Sequence, residues 1–70
     1  MSPPITRHTP LSELPELLRV EEAAAWLGLG KGLVYEMVRR GELPSARLGR
    51  LVRVTRDGLA EKAHLRAVAS

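Results

Sequence analysis

The side chains able to do chemistry in this sequence are almost all cations. Lys31, Arg39, Arg40, Arg47, Arg50 and Arg53 crowd into residues 31–53, opposed only by Glu36 and Glu42. The stretch before them, 11–30, is acidic, setting Glu13, Glu16, Glu21 and Glu22 against Arg19. An acidic part followed by a basic part is the pattern of a chain that turns one face to a polyanion. Nine of the eleven basic residues are arginine, whose planar fork suits two-point contact with phosphate or guanine. A GC-rich genome would also enrich arginine, and a solvated arginine-rich surface is the plainer reading. Charge alone does not separate the two.

The groups that catalysis requires are missing. His8 and His64 stand far apart in the chain, Asp57 is the single aspartate, and there is no cysteine. A nucleophile–base pair or a three-ligand metal site needs more than that. No glycine-rich phosphate loop or dinucleotide motif is present. We therefore expect no enzyme, no metal and no cofactor. No apolar run approaches the ~18 residues of a membrane helix, and the N-terminus has no apolar signal core. The expectation is a soluble protein of the cytoplasm, associated with the nucleoid and not with a membrane.

Seventy residues fit one small domain. With no phenylalanine, one Trp26 and one Tyr35, its core must come from Leu, Val and Ala. Pro3, Pro4 and Pro10 mark residues 1–10 as a flexible arm ahead of a domain over 11–70. Leu11, Leu14, Leu17 and Leu18 are spaced to lay an apolar patch back onto that domain. From Val20 a helical period is plain: Val20, Ala23, Ala24 and Leu27 share one side, while Glu21, Glu22 and Ala25 face away. Gly28 supplies the stop of this bracing helix, 20–27.

A second helix over 31–40 buries Val34, Met37 and Val38 and presents Lys31, Gly32, Tyr35 and Arg39. Gly41 closes it, and Pro44 prevents its continuation. Gly32 in the first turn is unfavourable by ~1 kcal/mol relative to Ala, which fits close approach of a partner's backbone. A hairpin over 45–54 follows, turning at Gly49-Arg50. In it Ala46, Leu48, Val52 and Val54 are expected to point inward, and Arg47 and Arg53 outward. Thr55 then caps a closing helix, 56–68, which packs through Leu59, Ala60, Ala63 and Ala67 and is weakened at its start by Gly58. Two helices on a short glycine turn, then a basic hairpin, make a mainly α winged helix-turn-helix.

Leu18-x-Val20-Glu21-Glu22-Ala23-Ala24, Leu27-Gly28, Val34-Tyr35, Arg40-Gly41-Glu42-Leu43-Pro44 and Arg47-Leu48-Gly49 follow one another along the chain. In these residues the sequence resembles the small excisionase-type, MerR-like winged helix-turn-helix domains of bacteria, phages and plasmids. The resemblance spans roughly Leu17–Ala63, and the Gly-Glu-Leu-Pro junction is its most specific element. It implies DNA binding by the helix beginning near Lys31 and by the wing. Members include excisionases, which bend attachment-site DNA and set the direction of a phage or plasmid integrase, and small transcriptional regulators. This sequence departs from the pattern at Arg19, where the family has a Thr or Ser helix cap. It departs again at Gly30 and Gly32, near which the family has Ser or Thr, and in lacking an aromatic residue near Lys62.

On this reading Lys31, Gly32, Tyr35 and Arg39 enter the groove, Arg47, Arg50 and Arg53 are the wing contacts, and Arg19 and Arg40 can hold phosphate. Plainer roles stand beside these: Tyr35 half-buried against the wing, Arg40 answering the helix dipole, and Trp26 in the core. Glu36 could accept from a cytosine amino group or pair with Arg40 four residues on. The expected function is sequence-specific binding of double-stranded DNA by an excisionase-like accessory factor that bends DNA and assists an integrase. A small transcriptional regulator is the alternative. A protein-binding adaptor docking through Leu11, Leu14 and Leu17 is the second alternative. The residues after Thr55 are too few and too alanine-rich for a coiled-coil dimer. Copies are therefore expected to join head to tail along DNA.

Overall fold

The computed structural model describes residues 4–69, with side chains as far as His64. After a single 3-10 turn at Leu11–Glu13 come β1 (Leu17–Arg19), α1 (Val20–Leu27), α2 (Lys31–Arg39), β2 (Ser45–Leu48), β3 (Leu51–Thr55) and α3 (Arg56–Ala69). The first three residues of the expected arm, and Ala67 on the expected packing stripe of α3, lie outside this description.

The two central helices are cut to length by glycine. Gly28 has φ 72°, and the amides of Gly28 and Leu29 reach back to the carbonyls of Ala25 and Ala24 at 3.3 and 3.0 Å. Gly41 repeats this closure at φ 75°, with its own amide on Val38 and that of Glu42 on Met37, at 3.1 and 2.9 Å. A side chain at either position would strain the backbone. At its start α1 has an unusual arrangement, because arginine carries no side-chain acceptor to cap a helix. Only the reciprocal half of a capping box forms: Glu22 accepts from the Arg19 amide at 2.9 Å.

The sheet is antiparallel in the order β1-β3-β2, so β3 is central. Leu18 lies opposite Val54, and Arg19 opposite Arg53. On the other side Ala46 lies opposite Arg53, Arg47 opposite Val52, and Leu48 opposite Leu51. Opposed residues share a face, and successive residues alternate. One face therefore carries Leu18, Val52, Val54 and Arg47, and the other Arg19, Ala46, Leu48, Leu51 and Arg53. This corrects the expected alternation. Because the Gly49-Arg50 turn sets Leu48 against Leu51, Leu48 faces away from the core and is 55% exposed, while Arg47 lies on the inner side.

Among the described residues, Leu18, Val20, Val34, Leu43, Val54 and Leu59 are the largest fully buried side chains, and no buried residue is polar. Leu27, expected in this core, packs against it only half-buried. The expected leucine patch also divides. Leu14 and Leu18 are buried, while Leu11 and Leu17 stay exposed.

From Ile5 onward the arm lies on the domain: Ile5 packs against the core, and the Trp26 indole N–H donates to the Thr9 carbonyl at 2.7 Å. The prolines exclude regular structure there but not a strap held by one aromatic anchor.

Gly58 has a role that helix propensity hides. It is buried, its amide donates to Thr55 Oγ1 at 3.0 Å, and a Cβ there would meet Thr55 Oγ1 at 2.8 Å and the Pro44 ring at 2.9 Å. Alanine at this position is expected to destabilise by roughly 1–3 kcal/mol through overpacking, outweighing a propensity gain of ~1 kcal/mol. Urea denaturation checks this, and a raised midpoint would mean that the proline ring yields.

Candidate nucleic-acid interface

α2 presents a nearly continuous polar side. Its buried residues are Val34 and Met37, so Lys31, Gly32, Tyr35 and Arg39 project outward, all exposed. Nothing would lie within 4 Å of a Cβ at Gly30 or Gly32, leaving the first turn open to a partner's backbone. Nine residues at 1.5 Å rise make a rod about 14 Å long, and the B-DNA major groove is about 12 Å wide.

The wing meets this helix across an open cleft of about 440 Å³ lined by Tyr35, Glu36, Val38, Arg39, Ser45, Arg47 and Val52. Tyr35 is 47% exposed and lines this cleft together with the wing residues. The register explains why Arg47 joins it: Arg47 shares the sheet face of Val52. Arg50 extends from the hairpin turn. Among the described residues no ion pair involves Arg47, Arg50 or Arg53, so the wing's charge is not neutralised from within.

The three arginines of the wing do not lie on one side. Arg53 lies on the outer sheet face, half-buried, with Nη1 donating to the Val52 carbonyl at 3.1 Å. It sits directly opposite Arg19 on β1, a pairing of like charges that is unfavourable unless an anion lies near. Arg19 itself bonds Glu22 at 3.5 Å. Arg40 is tied to Glu36 at 3.3 Å, and so is Arg39, whose Nη2 reaches both carboxylate oxygens at 2.6 and 2.5 Å. Spacing alone had left Glu36 between two roles, and its partners in the structure are Arg39 and Arg40 together. Ser45 and Val52 were missed as cleft residues because only the register shows which sheet face meets α2. Arg56, a cation outside the expected set, is structural: its Nη1 donates to the Leu14 carbonyl at 3.0 Å.

Residues 17–61 match the family model described as a helix-turn-helix domain. The chain belongs to this family of small DNA-binding helix-turn-helix domains. The match takes in α1 and the elements that flank the cleft, α2 and the whole wing. A relative from Saccharopolyspora erythraea, named "Probable excisionase", is 49% identical over 47 residues, which are 67% of this chain and 48% of the relative. Two Mycobacterium tuberculosis proteins whose names describe them as DNA-binding are each 49% identical over 39 residues, 56% of this chain and 50% of theirs. The helix-turn-helix chain thus spans about half the length of the curated relatives it matches. Among its described residues no helix is long and apolar enough to cross a membrane.

Proposed function

We propose that the domain binds double-stranded DNA sequence-specifically, with α2 in the major groove and the wing on the adjacent backbone or minor groove. The observation that carries this reading is the cleft in which Tyr35 and Arg39 of α2 face Arg47 of the wing. Lys31, Gly32, Tyr35 and Arg39 serve as the groove set, Arg47 and Arg50 as the wing set. Arg19, Arg40 and Arg53 serve as flanking phosphate contacts. The role is non-enzymatic. Likeness to a relative named as an excisionase supports an architectural factor that bends DNA beside an integrase. A transcriptional regulator of the same build is the second reading, supported by relatives whose names describe only DNA binding. Protein docking through a leucine patch is disfavoured, since Leu14 is buried.

One recognition helix with a wing covers little duplex, and its few cations give mainly non-specific affinity. Specificity then needs several copies on one DNA, arranged head to tail. The full chain should sediment as a monomer and fill three tandem sites cooperatively in a gel shift. A tight dimer without DNA, or independent filling of the sites, would defeat the assembly. No binding to any duplex at low salt would defeat the reading itself.

A further inference from the structure

We propose that Glu36 is a specificity-determining residue of the α2 interface, one that restrains Arg39 and Arg40 against indiscriminate phosphate contact and releases them only at a matched base pair, Arg39 to the base edge and Arg40 to the phosphate that flanks it. The inference rests on the DNA-binding reading above.

Three observations carry it. Glu36 lines the cleft between α2 and the wing, beside Tyr35, Arg39 and Arg47, so it faces the same partner they do. Its one carboxylate holds both arginines at the end of α2, with Arg39 on both oxygens and Arg40 on Oε1. The arginine side chains are nonetheless 76% and 66% exposed, against 33% for Glu36. The pairing therefore lies at the surface, where DNA can compete for it.

A phosphate approaching this end of the helix meets one net positive charge where two arginines alone would offer two. It also meets a carboxylate that repels it. Binding through the backbone alone must break ion pairs and gains little in return. A base edge can satisfy both signs at once: guanine O6 and N7 accept from Arg39, and a cytosine amino group donates to Glu36. Only a sequence that places those groups at this end of α2 compensates the broken pairs. Arg47 and Arg50 on the wing have no such restraint among the described residues. General affinity and base discrimination are thereby assigned to different elements.

The test compares the full chain with Glu36→Gln, which keeps shape and removes charge, on a random-sequence duplex at two salt concentrations. Melting temperature confirms that both are folded. The variant should bind the random duplex several-fold more tightly at low salt. Its log affinity should fall more steeply with log salt, by about 1 to 2 units, as Arg39 and Arg40 gain phosphates. Selection from a random pool should return a G·C preference for the parent that the variant loses. Equal affinity and slope for the two proteins, or weaker binding by the variant, would overturn the role of Glu36 while leaving the DNA-binding reading intact. Failure of both proteins to bind would overturn that reading and this one together.

Discussion

Replacing Arg47 and Arg50 together by alanine is expected to weaken binding to every duplex alike, roughly 50-fold near 0.1 M salt, and to flatten the salt dependence by about 2 units. Both side chains are exposed and outside any ion pair among the described residues, so fold and melting temperature should not move. Arg53→Ala makes the internal control. Arg53 lies on the other sheet face and already bonds its own strand, so its loss should cost at most one unit of slope. If Arg53→Ala proved as damaging as the double change, DNA would have to approach the outer face of the sheet. Fluorescence anisotropy on a labelled random duplex reads the parent and both variants.

The second large effect is on stability. Leu18→Ala should cost about 2–5 kcal/mol, in a domain whose size allows roughly 4–10 kcal/mol in total. Leu18 is fully buried, opposite the equally buried Val54, and joins the strand before α1 to the centre of the sheet. The melting temperature should fall by on the order of 10–30 °C, as read by circular dichroism. Leu27→Ala should cost clearly less, since Leu27 is only half-buried. Reversal of that order would mean that β1 does not hold the sheet.

The same two residues show how much of the fold was legible beforehand. Helix boundaries were, because a helix declares itself locally. The apolar period from Val20 to Leu27, and the glycines at 28 and 41, are read within a few residues, and α1 and α2 lie where that period put them. The hairpin turn was equally local. β1 was not legible, because three residues are too few to show alternation and their partners lie 34 or more positions away. Wing parity failed for a related reason. Treating Ala46 and Leu48 as inward beside Val52 and Val54 ignores that the turn pairs Leu48 with Leu51, which forces Ala46 and Val52 onto opposite faces. At the site, spacing pointed to the pair of Glu36 with Arg40 four residues on, which forms at 3.3 Å, but not to the contact with Arg39. That one carboxylate would hold Arg39 as well as Arg40 depends on rotamers, which no pattern of letters records.

The central position of β3 has a thermodynamic consequence. This strand is hydrogen-bonded along both edges, to β1 and to β2, and runs straight from Thr55 into the closing helix at Arg56. Arg56 is in turn fastened to the N-terminal segment, through its amide to the Glu16 carbonyl and its side chain to that of Leu14. These ties on both sides of β3 resist a swing of the wing toward a ligand. Its angle to α2 is preorganised, so little conformational entropy is left for the protein to lose on docking. In the proposed complex, any mismatch between that angle and a straight duplex would be taken up by the DNA, whose elastic cost depends on its own sequence. Flexible pyrimidine–purine steps between the contacted grooves would then be selected without being touched. The rigidity of a three-stranded sheet would become a means of reading base sequence at a distance.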